Sequence, residues 1–271
     1  MSREPDSAST DVLHVEQLDG VRRLTLHRPD ALNTFDYRLQ RDLRAAVDHA
    51  ADDETVRCLI LTGSGRAFCA GADIDLNDLD ASTRLAPRTE EELRLRYNPT
   101  VRALRTMGKP AVAAVNGPAV GLGCSLAAAC DQVVAADSAW FSLAFAQVGL
   151  TLDAGASLLI GARIGIGRAT RMAMLGERID AGTAHSWGMV DEVVTPEDVG
   201  ARALALADAL AHGPTAAFAA TKHSLNIALL DRLDAAFEAE VAGQTSLVDS
   251  EDFREGAAAF SRRRSPSFVG R

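Results

Sequence analysis

The sequence predicts an α/β fold in which helices alternate with buried strands and the last third of the chain is helical. Short apolar runs such as RCLILTG and PAVAAV have the length and composition of buried strands. Helical patterns precede these runs, an order typical of parallel sheets covered by helices. After MVDEVV the composition shifts to alanine-rich helical segments, so a helical extension is expected to follow the α/β part.

The first predicted elements are a hairpin and a helix. Two apolar-rich strands, at residues 12–18 and 21–26, meet at Asp19-Gly20, a dipeptide suited to a tight hairpin turn. The chain turns again at HRPDALN. Apolar residues then recur at helical spacing from Leu39 to Ala50, and RCLILTG follows as a short strand. This order predicts a helix that leads into a parallel strand.

The same order repeats along the middle of the chain. A helix is predicted at about 90–107, followed by a strand in PAVAAV, a glycine turn in NGPAVGLG, a helix in CSLAAAC and a strand in DQVVAA. The later helices are predicted at 196–211, 215–230, 233–248 and 253–261. We therefore predict a disordered arm at 1–11, a core domain at 12–199 and a C-terminal helical region at 200–271.

Composition and charge exclude several classes of function. The chain has 271 residues, 47% of them hydrophobic, and a net charge of −9, which argues against binding of nucleic acid through phosphate contacts. No uncharged apolar run reaches the ~18 residues of a membrane span, and no secretion signal is visible. The four cysteines lack C-x-x-C spacing and the six histidines lack metal spacing. We expect a cytoplasmic protein with buried thiols, no bound metal and no membrane partner.

Two glycine-rich stretches are the first candidates for a functional site. They are GRAFCAGADI at 65–74 and NGPAVGLGCSLAAACD at 116–131, and each joins a strand end to small residues. In the second stretch a helix begins, and its first amides have no acceptor within the helix. Each stretch alone is an ordinary tight turn. Together they offer the two backbone N–H donors that an oxyanion hole requires.

These stretches resemble the crotonase (enoyl-CoA hydratase/isomerase) superfamily, and the resemblance continues through HRPDALNTFD and the closing RRRSPSF. It implies a spiral core of repeated ββα units and C-terminal helices that assemble a homotrimer or a dimer of trimers. It also implies an acyl-CoA substrate, with coenzyme A as part of the substrate and no separate cofactor. The thioester oxygen would be held by the backbone amides of Ala70 and Leu122. Further substrate contacts are implied at Arg28, Gly71, Ala72, Asp73, Ile74, Gly121 and Phe145. Phe260 and Arg263 would reach the nucleotide bound to a neighbouring subunit.

Two acidic residues that hydratases of this superfamily use are missing. Their positions are occupied by Ser125 and Phe145. A serine hydroxyl is a poor base near neutral pH, and phenylalanine has no proton to exchange. The resemblance therefore supports family membership but not the usual hydration mechanism.

A single carboxylate, Asp153 in VGLTLDAG, matches the position used by members that move a double bond. The loop is most similar to that of ring-modifying phenylacetyl-CoA isomerases, although Leu152 replaces the usual proline and Ala156-Ser157 replaces glycine-threonine. One carboxylate suffices for isomerisation, because it can remove a proton beside the thioester and return it two carbons further on. Apolar neighbours would raise its pKa. We predict that Asp153 is the catalytic base.

Several alternatives stay open at this stage. Asp153 is well placed to cap a helix that begins near Ala154. Ser125, Asp153 and His185 follow the chain order of a serine hydrolase, although Ala127 breaks the nucleophile motif. Residual hydration through Ser125, or a non-catalytic acyl-CoA-binding scaffold, would also fit the family. Segment GIGRAT is read as a helix start rather than a dinucleotide site, and the charged residues 81–97 are expected to be a mobile border of the acyl pocket.

Overall fold

A computed structural model describes residues 9–73 and 84–271 of the chain. In chain order its strands are β1 (Leu13–Leu18), β2 (Val21–Leu26), β3 (Cys58–Gly63), β4 (Ala111–Val115), β5 (Ala119–Val120), β6 (Gln132–Ala136), β7 (Trp140–Ser142), β8 (Ile179–Asp180) and β9 (Glu192–Val194). Its helices are α1 (Tyr37–Asp52), α2 (Ala86–Glu92), α3 (Asn98–Thr106), α4 (Leu122–Ala129), α5 (Ala156–Ile164), α6 (Ile166–Leu175), α7 (Ala181–Trp187), α8 (Val199–Ala211), α9 (Thr215–Leu230), α10 (Leu233–Leu247) and α11 (Glu251–Ser261).

The strands form one large and one small sheet. The large sheet has the order β1-β2-β3-β4-β6-β9, in which β1 pairs antiparallel with β2 and each later pair is parallel. The small sheet has the order β5-β7-β8. The β1–β2 turn places Asp19 and Gly20 at φ 45° and 81°, the left-handed conformations expected of this hairpin. The predicted α/β fold is confirmed, with its C-terminal helices.

The hydrophobic core lies between the large sheet and the helices on it. Buried positions of α1 recur at helical spacing, including Leu39, Leu43, Val47 and Ala50. Helix α8 buries its alanine face in the same cluster. This helix packs against the sheet, so the predicted boundary at residue 199 does not separate two hydrophobic cores.

Some predicted boundaries were wrong. The described part of the segment 81–97, which was expected to be a mobile border of the acyl pocket, forms α2 and a π-helical segment, Leu93–Tyr97, which continues into α3. The single helix predicted at 90–107 is therefore the end of a longer run that begins at Ala86. Residues 1–8 of the predicted arm lie outside the described residues. None of the helices described is long and apolar enough to cross a bilayer.

Candidate active site

The two glycine-rich stretches of the sequence lie against each other in the structure. The amide of Val120 donates to the carbonyl of Cys69 at 2.9 Å, and the amide of Cys69 donates to Pro118 at 3.1 Å. A Cβ atom on Gly123 would lie 2.2 Å from the Cys69 carbonyl oxygen, so only glycine permits this approach. The predicted juxtaposition of the two strand-end turns is therefore present.

The hydrogen bonds of the first stretch require a correction. The amide of Ala70 donates to the carbonyl of Leu32 at 3.0 Å, so it is not free to bind a substrate oxygen. The amide of Phe35 donates to Gly71 at 2.9 Å and the amide of Asp73 donates to Phe35 at 3.1 Å. In a parallel bridge of this kind the residue between the two bonded positions points its amide the other way. That residue is Ala72.

Among the described residues, Ala72 in the first stretch and Leu122 in the second each carry an available amide. Neither amide has a backbone acceptor among the described residues. Leu122 is the first residue of α4, where an amide has no intrahelical partner, and Gly121 before it has φ 52° and ψ −117°. Ala72 also lines the same cavity as Asp153. The donor pair supported by this geometry is Ala72 with Leu122 rather than Ala70 with Leu122.

Asp153 lies in a cavity of about 120 Å³. Its side chain is buried, and its Oδ1 atom has no hydrogen-bond partner among residues 9–73 and 84–271. Burial, with a smaller contribution from the negative charge of Glu240, raises the pKa of the Asp153 carboxyl well above its ordinary value. Among the described residues, the apolar part of the cavity wall consists of Ala72, Leu85, Leu93, Tyr97, Leu150, Val248 and Phe253.

The structure does not support a helix-capping role for Asp153. Helix α5 begins at Ala156 after Gly155, and the carboxylate that accepts from its first amides belongs to Glu240. Ala154 has φ 53° and Gly155 has φ 78°, two consecutive left-handed residues that separate Asp153 from the helix. The left-handed conformation costs a residue with a Cβ atom about 1–2 kcal/mol. This strained turn leaves the Asp153 side chain free of the helix end.

Ser125 supports the loop rather than acting as a nucleophile. Its hydroxyl is fully buried and donates to the main-chain carbonyl of Asp153 at 3.2 Å. His185 lies exposed on α7, and its Nδ1 atom is 3.0 Å from the Val190 carbonyl. Neither side chain is hydrogen-bonded to the other in the described part of the chain, so the geometry of a serine hydrolase triad is not assembled.

Phe145 and Gly121 lie against each other, and neither is among the residues that line the Asp153 cavity. The Phe145 ring lies on the 3₁₀ turn Ala144–Val148, and a Cβ atom on Gly121 would be 3.3 Å from its edge. Of the remaining predicted contacts in this stretch, Gly71 is buried, Asp73 lines the cavity, and Ile74 lies outside the described residues.

The basic residues predicted to bind coenzyme A are divided between two places. Arg28 is already paired with Asp73 at 2.8 Å and with Asp36 at 3.4 Å, so a phosphate would have to displace a carboxylate. Phe260 and Arg263 line a separate surface cavity of about 560 Å³, which shares no described lining residue with the Asp153 cavity. Arg28 therefore contacts the Asp153 cavity through Asp73, whereas Phe260 and Arg263 lie away from it in their own chain. Their expected contact with a neighbouring subunit's nucleotide stays a prediction.

Sequence reasoning missed Asn33 and Glu240. The Asn33 amide group donates to the carbonyls of Ser64 at 2.9 Å and Ala67 at 2.8 Å, which ties the HRPDALN loop to the segment before Ala72. Its φ of 56° is a conformation that asparagine tolerates. The preference of asparagine for this conformation could have indicated a turn at Asn33. Nothing in the sequence indicated a role for Glu240, which lies 87 positions from Asp153 on an alanine-rich helix.

The cysteines and acidic residues outside this cavity do not suggest a second centre. All four cysteines are buried and unpaired, as expected from the sequence. Burial raises the pKa of the Cys69 thiol to about 12, so it stays protonated and unreactive at ordinary pH. In the described ranges no three His, Cys, Asp or Glu side chains are grouped to hold a metal ion.

Comparisons with known proteins identify the family of this chain. The family described as Enoyl-CoA hydratase/isomerase matches residues 16–271. The 1,2-epoxyphenylacetyl-CoA isomerase of Escherichia coli is 41% identical over 95% of this chain and 97% of its own length. A probable enoyl-CoA hydratase of Rhodobacter capsulatus is 38% identical over 97% of this chain and 100% of its own length.

A solved structure gives the same result for the fold. An enoyl-CoA hydratase from Mycobacterium avium subsp. paratuberculosis superposes with a TM-score of 0.85 at 39% identity, and the match covers 95% of this chain and 98% of that one. The family match, the near full-length relatives and the shared α/β architecture all agree with the resemblance in the two glycine-rich stretches. The chain therefore belongs to the enoyl-CoA hydratase/isomerase family of acyl-CoA enzymes and has the crotonase fold.

Proposed function

We propose that this protein is an isomerase of the enoyl-CoA type, which shifts a double bond in an acyl-CoA by moving one proton. Asp153 is the base, and the amides of Ala72 and Leu122 hold the thioester oxygen. The observation that carries the proposal is the buried Asp153 carboxyl, which lines a cavity with apolar and polar walls and is not used to cap α5. A carboxyl in this environment is a stronger base than one in water.

The proposed reaction starts with a 3-enoyl-CoA and the ionised form of Asp153. The carboxylate takes a proton from C2, and the electrons of that C–H bond form a dienolate whose negative oxygen accepts the two amide hydrogen bonds. The protonated Asp153 then returns the proton to C4. The double bond moves from C3–C4 to C2–C3, and neither water nor a net proton is consumed.

The alternative function is hydration of a 2-enoyl-CoA. It is favoured by the name of the Rhodobacter relative, a probable enoyl-CoA hydratase. Against it, the sequence resemblance implies that Phe145 and Ser125 stand at the two positions from which hydratases activate water. The Ser125 hydroxyl also donates to the Asp153 carbonyl. The relative named 1,2-epoxyphenylacetyl-CoA isomerase acts on a ring-derived thioester, and we include ring-derived substrates in the proposed class.

The product formed from two unsaturated thioesters tests this proposal. We expect wild-type protein to convert a 3-enoyl-CoA into a conjugated 2-enoyl-CoA of unchanged mass, with growth of the conjugated ultraviolet absorbance. We expect little hydration when the 2-enoyl-CoA is the substrate. Rapid formation of 3-hydroxyacyl-CoA would identify a hydratase instead. Calorimetric binding without turnover of straight-chain or ring-derived thioesters would identify a non-catalytic scaffold.

A further inference from the structure

One face of α10 holds the loop that carries Asp153. Glu240 and Gln244 lie one turn apart on this helix and contact the loop on both sides of the acid. The Glu240 carboxylate accepts from the amide of Gly155 at 2.7 Å and from that of Ser157 at 2.9 Å. The Gln244 side-chain amide donates to the carbonyl of Thr151 at 2.7 Å. The loop is therefore fixed from outside its own segment.

Close packing accompanies these hydrogen bonds. A Cβ atom on Gly155 would lie 3.0 Å from the Phe237 ring, and one on Gly243 would lie 2.7 Å from the Thr151 side chain. The backbone of the loop and that of α10 thus approach each other at positions where each has a glycine. Small displacements of α10 would be transmitted directly to the loop.

Glu240 fills the position that Asp153 would otherwise occupy. The first amides of a helix attract an anion because they lack acceptors and lie at the positive end of the helix dipole. Asp153 is the nearest acid in the sequence, but Glu240 already takes the amides at Gly155 and Ser157. Because Glu240 accepts these hydrogen bonds, the Asp153 carboxyl does not bind the helix end, and its Oδ1 atom is left unpaired among the described residues.

We propose that Glu240 is a positioning residue for the proton transfer: it fixes the loop so that Asp153 faces the acyl cavity, and its negative charge acts on the Asp153 carboxyl. This proposal rests on the proposed function, because it assigns Glu240 a role in the reaction of Asp153. Glu240 itself touches no reacting atom.

The electrostatic surroundings of Asp153 agree with this role. Burial is the larger cause and the charge of Glu240 the smaller cause of the raised pKa of Asp153. Burial also raises the pKa of Glu240, against the opposing effect of its bonds from Ser157 and Gly155. Among the described residues, the other ionisable groups that face the site come from the 69–73 segment, α2 and the π-helical segment. They are Cys69, Asp73, Arg88, Glu92 and Tyr97.

The test is the Glu240→Gln substitution in the full-length protein. Glutamine has nearly the same size, but it has one acceptor for two amides and no charge. We expect kcat for isomerisation to fall on the order of 10- to 100-fold, as for a slightly misplaced catalytic group, with KM little changed. Removing the neighbouring negative charge lowers the pKa of Asp153, so the acid limb of kcat/KM should move to lower pH.

A second readout does not depend on activity. The infrared carbonyl band of the protonated Asp153 carboxyl, identified by its absence in Asp153→Asn, is titrated in wild type and in each variant. We expect it to ionise at lower pH in Glu240→Gln. Glu238→Gln is the matched control, because Glu238 is exposed on the same helix and pairs with Arg94. It should leave both the titration and kcat as in wild type.

Glu240→Asp separates the charge from the reach of the side chain. It retains the negative charge, so the pKa of Asp153 should stay raised even where the shorter side chain lowers kcat. If circular dichroism shows that Glu240→Gln does not fold, Glu240→Asp takes its place in the kinetic and infrared measurements. A pH-independent fall in kcat with an unchanged Asp153 titration in Glu240→Gln would overturn the proposal, and so would equal titration shifts in the two variants.

The outcome is separable from that of the proposed function. If Asp153→Asn retained full isomerase activity, the proposed function would fail, whereas the infrared titration would still report whether Glu240 acts on Asp153. If Asp153→Asn were inactive and Glu240→Gln behaved as wild type in both readouts, only the role of Glu240 would be refuted.

Discussion

Replacing Asp153 with Asn is expected to lower kcat for double-bond migration by about 10²- to 10⁴-fold, the usual contribution of a positioned general base. The amide of Asn cannot accept the proton from C2, but it has almost the same shape as the carboxyl. Binding of the thioester should therefore change little. Steady-state kinetics with a 3-enoyl-CoA, together with calorimetric binding of a saturated acyl-CoA, separates the two effects.

We also expect Asp153→Asn to change how the stability of the folded protein depends on pH. Since the folded-state pKa of Asp153 is raised, the stability that this group contributes is present at low pH and is lost as the pH rises through the raised value. Asp153→Asn avoids that loss, so its stability relative to wild type should increase with pH in urea unfolding. A variant that became less stable than wild type at high pH would show that the ionised carboxylate makes a favourable contact.

Asp180→Asn provides the contrasting control. Asp180 caps α7, and its carboxylate accepts from the amide of Thr183 at 2.8 Å. This bond, together with one from the Thr183 hydroxyl, lowers the pKa of Asp180. The stability that Asp180 contributes is therefore present above the unfolded-state pKa and is lost as the pH falls through the lower folded-state pKa. The Asp180 substitution should therefore cost stability near neutral pH and leave isomerase activity unchanged.

Gly123→Ala is expected to disrupt both stability and catalysis. A methyl group at this position would lie 2.2 Å from the carbonyl oxygen of Cys69, so α4 and the 69–73 segment would have to separate. Overpacking of this kind typically costs about 1–3 kcal/mol. Separation would also move the Leu122 amide away from that of Ala72, and loss of one oxyanion donor costs about 10²- to 10³-fold in kcat.

Gly167→Ala is a matched control for Gly123→Ala. Gly167 is the second residue of α6, as Gly123 is of α4, and a Cβ atom there would contact nothing within 4 Å. Alanine should leave activity unchanged and should slightly favour the helix. Thermal unfolding and kcat of the two variants are compared directly. Equal behaviour would contradict the requirement for close contact between α4 and the Cys69 carbonyl.

Local patterns in the sequence were enough to predict most of the architecture. The apolar-rich stretches on either side of Asp19-Gly20 predicted the hairpin, and the helical spacing of apolar residues from Leu39 to Ala50 predicted α1. The C-terminal helices begin and end within a few residues of their predicted bounds. These elements depend on periodicity and turn chemistry, which adjacent residues encode. The helix predicted at 90–107 starts earlier, at Ala86, a start that was missed because the run of charges before residue 90 resembles a mobile loop.

The details of the site depend on contacts between distant segments. The choice of Ala72 over Ala70 as donor follows from the pairing of Phe35 with this segment, a tertiary contact that no local motif specifies. Likewise, the side chain that caps α5 comes from α10 rather than from the loop. The sequence therefore identified Asp153 as the acid of interest but could not show that another residue leaves it unpaired.

Transfer of deuterium within a single turnover tests most directly the central claim, that one carboxylate carries the proton from C2 to C4. A 3-enoyl-CoA with deuterium at C2 is mixed with excess enzyme in ordinary water, and the product is analysed by mass spectrometry. The account predicts that part of the product keeps the transferred deuterium at C4 and that Asp153→Asn forms none. Product that contains only solvent hydrogen at C4, or that has gained a hydroxyl group, would contradict it.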